Sequence, residues 1–207
     1  MKKSALLLLT IAFASGSAFA ASKQSFRVKG EFIDGCSCSP PCACPMTGIE
    51  RGCEGVGGMV LSSGKYAGAD LSGAKIIYAV SPGKWVRGYV DAKNPAQEKA
   101  AIDFAKVAFA EFGKVEFVKP ARIEVTGKDG DYKLTVNGGK TMKLVTKPVL
   151  GADKRTPIVH KNLNDPLNDV FYQGKTVSGS YSDEGRSFKL KDSNAFFNPR
   201  LDKSGKI

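Results

Sequence analysis

The cysteines of this chain are concentrated in one short segment. The sequence has five, and all lie within residues 35–53, as two Cys-x-Cys pairs and one later cysteine: Cys36, Cys38, Cys42, Cys44 and Cys53. Cysteines used as small apolar core residues are expected to scatter over several elements. Thiols gathered in one loop instead indicate a metal site, a disulfide framework or a redox centre.

The N-terminus predicts a secretory signal peptide over residues 1–20. Lys2 and Lys3 form a positive start, an apolar run follows, and Ala18-Phe19-Ala20 matches a cleavage site. The apolar run is shorter than the roughly 18 to 20 residues that span a bilayer. We therefore expect a periplasmic or secreted protein, with residues 21–207 forming a single domain around the cysteine loop 35–53.

The charge balance is basic, with a formal net charge of +11. The lysines are scattered among predicted strands and turns, and no basic block is interleaved with aromatic residues. This pattern predicts a solvated surface and no nucleic-acid partner.

One helix and several strands can be placed from the pattern. Residues 25–33 alternate apolar and polar and lead directly into the cysteine loop, which predicts a strand. Residues 75–80 and 85–90 predict a hairpin across Pro82-Gly83. Asn94 suits an N-cap with Gln97 three residues later, and apolar residues at helical spacing continue to Phe112 before Gly113.

The remaining pattern predicts further strands after the helix and a hairpin turn at Asn137-Gly138. Residues 151–168 are polar and predict a long loop, and the tail after Asn198 is expected to be loose. Together these elements predict an α+β fold, a mostly antiparallel β-sheet with one principal α-helix packed on it.

Several motifs in order resemble a bacterial family known as domain-of-unknown-function family 1326. They are Gly30-Glu31-Phe32 before Cys36-x-Cys38, then Cys42-x-Cys44-Pro45 and Cys53, Gly64-Lys65-Tyr66 with Asp70-Leu71-Ser72-Gly73, Val90-Asp91 before Gln97, and Pro120-Ala121-Arg122-Ile123-Glu124. The resemblance covers residues 28–197. It implies a shared fold unit and cysteine site, and it implies no mechanism.

A metal site is the first interpretation of the cysteine loop. Thiolates are soft ligands that suit Cu(I), with Zn(II) next. The spacing lacks the paired Cys-x2-Cys units of a zinc ribbon, so we predict copper ahead of zinc. Cys36, Cys38, Cys42 and Cys44 are the predicted principal ligands, and Cys53 an auxiliary one. Such a protein would carry or store the metal and exchange it with another exported or membrane protein.

Two alternatives stay open. In an oxidising compartment the cysteines could form structural disulfides, most easily between the pairs or to Cys53, because a bridge within Cys-x-Cys closes a tight ring. The loop could also be a thiol–disulfide redox centre, although it lacks the Cys-x-x-Cys at a helix start that such enzymes use. We expect no catalytic residues, and the sole histidine, His160, is either a distant addition to the site or a plain loop residue.

Overall fold

A single sheet of 12 strands dominates the protein. The computed structural model describes residues 23–47, 52–163, 165 and 167–207, so the predicted signal peptide lies outside the described residues. The strands are β1 Ser25–Cys36, β2 Gly55–Tyr66, β3 Ala69–Asp70, β4 Lys75–Ser81, β5 Trp85–Asp91, β6 Lys114–Pro120, β7 Ile123–Lys128, β8 Asp131–Val136, β9 Met142–Pro148, β10 Val159–Lys161, β11 Val170–Asp183 and β12 Arg186–Lys206. The helices are α1 Cys44–Thr47 and α2 Pro95–Phe109.

The α+β class predicted from the sequence is wrong, because the fold is β-rich and the sheet is mixed. In the described part of the chain α2 is the only α-helix longer than a single turn. The main strand order is β6-β5-β4-β2-β1-β12-β11-β9-β8-β7, with β3 and β10 pairing to the side. Every ladder between these strands is antiparallel except that between β5 and β6. These two strands run parallel, and α2 lies between them in the sequence.

Two segments that the sequence predicts as irregular are strands. The predicted loop over residues 151–168 contains β10, which pairs with β11. The tail after Asn198, expected to be loose, belongs to β12 and pairs with β1 as far as Lys206 opposite Ser25. Backbone hydrogen bonds to β1 hold this polar stretch in the sheet, and such bonds leave no trace in the apolar pattern of the sequence.

The predicted start of α2 is confirmed, whereas the α-helix ends at Phe109 and a 3-10 turn over Ala110–Phe112 completes the predicted run. The side chain of Asn94 accepts a hydrogen bond from the Gln97 N–H at 2.9 Å. Gln97 in turn accepts from the Lys93 N–H at 3.0 Å, and its amide donates to the Ser72 carbonyl at 3.1 Å. These contacts satisfy donors that a helix start leaves open and fix α2 against the sheet.

Two apolar cores lie on opposite faces of one half of the sheet. The first core joins β1, β2, β4 and β5 to α2 and to the cysteine loop. The second core joins the same strands to β7, β8, β9, β11 and β12, so the two halves of the sheet face each other across it. The cysteine loop therefore sits on the face that carries the helix. No helix among the described residues is long and apolar enough to cross a membrane.

Candidate metal centre

The β1–β2 ladder holds both ends of the cysteine loop. Cys36 is the last residue of β1 and pairs with Gly55 at the start of β2. Beyond this pair, the Ser37 N–H donates to the Glu54 carbonyl at 2.8 Å, and the Ser37 hydroxyl accepts from the Glu54 N–H at 3.0 Å. The loop therefore leaves and re-enters the sheet at adjacent points, which keeps its cysteines in a small volume.

Three of the cysteines converge. The sulfur atoms of Cys36, Cys38 and Cys42 all lie within 4.8 Å of one another. Cys38 also forms a disulfide with Cys53, with their Cα atoms 6.1 Å apart. Cys36, Cys42 and Cys44 take no part in this disulfide. We call Cys36, Cys38 and Cys42 the sulfur cluster.

Cys36 and Cys44 both influence the Cys42 thiol. The contact between the Cys42 and Cys36 side chains raises the pKa of Cys42 to about 12, and burial adds to the rise, whereas the contact with Cys44 opposes it. Cys42 therefore keeps its proton at neutral pH, and an ion that binds its sulfur has to displace that proton.

Asn194 of β12 contacts all three members of the sulfur cluster. Its side-chain oxygen accepts from the Cys42 N–H at 3.1 Å, its side-chain amide lies 3.7 Å from the Cys36 sulfur as a donor, and its backbone N–H donates to the Cys38 carbonyl at 2.9 Å. Asn194 is completely buried. One side chain and its backbone thus set the relative positions of three cysteines.

A further hydrogen bond links this arrangement to the sole histidine. The side-chain amide of Gln173 donates to the Asn194 side-chain oxygen at 2.9 Å, and the Gln173 oxygen is hydrogen-bonded to Nε2 of His160 at 3.2 Å. The His160 ring also stands edge-on to Phe196, with centroids 5.6 Å apart. His160 is therefore two residues removed from the sulfurs and supports Asn194 through Gln173.

All five cysteines line one cavity of about 790 Å³. Apolar and aromatic side chains form much of its wall, including Phe32, Phe171 and Phe196, and the last turn of α2 closes another side. A cavity of this size exceeds what one ion needs and falls in the range of small-molecule sites. The sulfurs therefore face a space that reagents can enter.

An acidic group stands in the wall of the cavity. Enclosure by protein raises the pKa of Asp34 to about 8, against the hydrogen bond from the Phe196 N–H, which lowers it. That bond, to one carboxyl oxygen, measures 2.7 Å. Asp34 keeps part of its surface exposed and lines the cavity. Burial, followed by the charge of Asp34, also holds the pKa of Tyr78 well above its usual range.

Gly57 makes room for this pair of side chains. It lies opposite Asp34 on β1 and opposite Tyr78 on β4. A Cβ atom at Gly57 would lie 2.5 Å from the Asp34 Cβ and 2.8 Å from the Tyr78 hydroxyl oxygen. Any side chain at this position would force the two groups apart, so the glycine is a requirement of the cavity wall.

The predicted ligands therefore divide into three groups. Cys36, Cys38 and Cys42 are brought together, Cys44 adjoins Cys42, and Cys53 is bonded to Cys38.

Sequence reasoning missed two groups. Asn194 is marked only as a polar residue just before the apolar run Ala195-Phe196-Phe197, and its role depends on a strand far along the chain. Asp34 lies two residues before Cys36 in the sequence, and it is not among the residues predicted to form the site. The structure places it inside the cavity wall instead.

Comparisons with known proteins add little. No protein-family model matches the chain, and no curated protein matches it. A solved structure described as "Structural Studies of Acetoacetate Decarboxylase" aligns over 89% of both chains at 10% sequence identity, with a TM-score of 0.39. At that TM-score the likeness supports no inference about function.

Proposed function

We propose that this chain is an exported metal-binding protein that carries or stores a soft metal ion, with Cu(I) ahead of Zn(II). Cys36, Cys38 and Cys42 are the ligands in the reduced protein, and Cys44 is the adjoining reserve thiol. The predicted signal peptide and the resemblance to domain-of-unknown-function family 1326 belong to this proposal. The partner is an exported or membrane protein that gives or receives the ion.

The observation that carries the proposal is the convergence of three sulfurs within 4.8 Å. Three sulfurs bound at about 2.3 Å in a trigonal plane lie about 4.0 Å apart. The cluster therefore needs shifts of under about 1 Å to close on an ion, which side-chain rotation supplies. Three soft ligands favour Cu(I), whereas structural zinc takes four ligands in most proteins.

Asn194 supports the same conclusion. Residues that orient metal ligands through hydrogen bonds are a regular part of metal sites. A buried side chain that contacts the Cys36 sulfur and the Cys42 backbone serves that purpose. A simple disulfide staple has no need of such support, because its covalent bond sets its own geometry.

The test is a Cu(I) titration of the reduced protein under anaerobic conditions, in competition with a chromophoric Cu(I) chelator. We expect one tightly held ion in the wild type and a loss of affinity of more than about 100-fold in Cys42→Ser and in Cys36→Ser, since a direct ligand matters more than an outer-shell partner. Cys53→Ser is the matched control, because Cys53 belongs to the same loop but lies outside the sulfur cluster. Reduced wild type that binds neither Cu(I) nor Zn(II) would refute the proposal.

A structural disulfide is the second candidate, and the Cys38–Cys53 bond favours it. The bond closes a sequence separation of 15 residues, for which the chain-entropy model gives about 3 kcal/mol of stabilisation. This role predicts that reduction lowers the free energy of unfolding by about that amount. It also predicts that Cys42→Ser leaves the ion content unchanged, which separates the two candidates.

A further inference from the structure

Cys38 occupies two arrangements that exclude each other. Its sulfur belongs to the sulfur cluster, and the same sulfur is bonded to Cys53. A metal ligand has to be a thiolate, and a disulfide sulfur carries no thiolate charge. While the disulfide exists, the cluster therefore offers two thiols and lacks its third ligand.

We propose that the Cys38–Cys53 disulfide is a redox lock on the metal site, opened by a small thiol that enters the cavity. The inference rests on the proposed function, because it names the regulation of the same three sulfurs. Opening the lock converts Cys38 from a bonded sulfur into the missing ligand, and side-chain rotation then suffices to close the three sulfurs on an ion.

The difference in exposure between Cys38 and Cys53 decides which sulfur of the disulfide is attacked. Cys38 is buried, with 9% of its surface exposed, whereas Cys53 is partly exposed. Both line the cavity, which is large enough at about 790 Å³ to admit a small organic thiol. Thiol–disulfide exchange depends on access to the sulfur under attack. An incoming thiolate therefore attacks Cys53, and Cys38 is the leaving group.

The exchange balances in two steps. In the first, the thiolate sulfur of the reagent bonds to Cys53, the Cys38–Cys53 bond breaks, and its electron pair leaves on Cys38 as a thiolate. In the second, a second reagent thiolate attacks the reagent sulfur of the mixed disulfide and releases Cys53 as a thiolate. The sum consumes two thiols, yields one reagent disulfide and two cysteine thiols, and transfers two electrons to the protein.

The released Cys38 thiolate is already positioned in the sulfur cluster. Its sulfur already lies within 4.8 Å of the Cys36 and Cys42 sulfurs, and its carbonyl is held by the Asn194 N–H. The reduced loop is therefore prearranged for the ion, and a disulfide oxidant reverses the process by removing Cys38 from the ligand set. The lock makes ion binding depend on the thiol content of the surroundings.

The first experiment compares oxidised and reduced wild type in the anaerobic Cu(I) titration, with the metal alone as the probe. We expect the oxidised form to bind more than about 100-fold more weakly, since it lacks a direct ligand. Equal affinity in the two forms would overturn the lock and leave the proposed function standing. Absence of binding in both forms would overturn the proposed function itself. Cys53→Ser, purified anaerobically without reductant, should bind as the reduced wild type does, because Cys38 has no Cys53 to bond.

The second experiment tests the direction of attack. Oxidised wild type is treated briefly with a monothiol, quenched with an alkylating reagent and mapped by mass spectrometry. We expect the monothiol on Cys53 and the alkyl group on Cys38. The reverse pattern, or a reagent thiol found on Cys36 or Cys42, would contradict the proposed path. Neither result depends on a variant that has to fold.

Discussion

The cavity beside the cysteines and the region around Arg87 both hold ionisable side chains in the interior. The two regions differ in how completely these side chains are paired with partners. Arg87 on β5 is nearly buried, with 8% of its side chain exposed, and pairs with Glu116 at 2.6 Å. It also donates to the Tyr181 hydroxyl at 3.3 Å and to the Asp183 carbonyl at 2.7 Å. Each of these buried polar groups has a partner.

Asp34 lies in the opposite situation. Among the described residues it accepts one backbone hydrogen bond and makes no ion pair, and the charges of Asp165 and Cys44 raise its pKa further. Proteins compensate buried charges where the purpose is stability. Uncompensated groups that line a cavity with perturbed pKa values are instead a mark of functional sites. The contrast is consistent with a structural joint around Arg87 and supports the cysteine cavity as the proposed functional site.

The largest expected effect is on the structural joint. Arg87→Ala should lower the free energy of unfolding by about 3 kcal/mol, because it removes the hydrogen bonds to the Tyr181 hydroxyl and the Asp183 carbonyl and leaves Glu116 with Arg186 alone. Chemical denaturation measures this loss. Arg122→Ala is the matched control, since Arg122 is 79% exposed and pairs with Glu124 on the surface, and it should cost about 1 kcal/mol or less. Equal effects for the two variants would remove the distinction between a buried joint and a surface pair.

The next prediction concerns the uncompensated group. Because the pKa of Asp34 is raised to about 8 in the folded protein, the unfolded chain releases this proton at lower pH than the folded one. Stability from this group is therefore complete at pH 4 and is lost as the pH rises towards 8, by at most about 1.4 kcal/mol per pH unit.

Asp34→Asn removes this dependence while keeping an oxygen for the Phe196 N–H. Between pH 5 and pH 7 the variant should gain about 2 kcal/mol relative to the wild type, measured by denaturation of the reduced, metal-free proteins. A parallel pH profile for the two proteins would mean that Asp34 titrates normally and that the cavity wall is hydrated.

The third prediction tests whether Asn194 serves the sulfurs or only the fold. Asn194→Asp keeps an acceptor for the Cys42 N–H and for Gln173, but it replaces the donor that faces the Cys36 sulfur. We expect Cu(I) affinity to fall by about 10- to 100-fold, as for other outer-shell partners. Asn198→Asp is the matched control, because Asn198 is also buried on β12 and bonds to Asn168 away from the cysteines.

A merely structural role for Asn194 has a different signature. The two variants would then lose stability to a similar extent and bind Cu(I) alike once folded. The ultraviolet absorption of Cu(I)–thiolate bonds gives an independent measure, since it should shift in Asn194→Asp and remain unchanged in Asn198→Asp.

Local signals account for what the sequence could predict. Asn94 and Gln97 mark the start of α2, because capping depends on residues three positions apart. The gathering of Cys36, Cys38 and Cys42 follows from their spacing in one loop. These features need no knowledge of distant strands.

Features that depend on distant pairing could not be predicted. Asn194 reaches Cys36 across a separation of 158 residues, and only the β1–β12 ladder brings them together. The same ladder turns the polar tail into a strand and makes the fold β-rich. Gly57 leaves space for Asp34 and Tyr78, and this requirement appears only once the three strands are paired. The apolar periodicity of one strand does not indicate which distant segments pair with it or pack on it.

The smallest expected effect returns to the structural joint and has the opposite pH dependence. The hydrogen bond from Arg186, together with that from Arg87, lowers the pKa of Glu116 to about 2. The folded protein therefore binds this proton only at lower pH than the unfolded chain, so stability from Glu116 is present above about pH 4.5 and is lost as the pH falls towards 2. Glu116→Gln should cost about 1 kcal/mol at pH 6, as expected for a partly exposed pair, and progressively less at pH 3. Denaturation at the two pH values measures the difference. A cost that grows on acidification would contradict the lowered pKa of Glu116. The expected result would show that the two regions respond to pH in opposite directions, because Asp34 loses its stabilising effect as the pH rises.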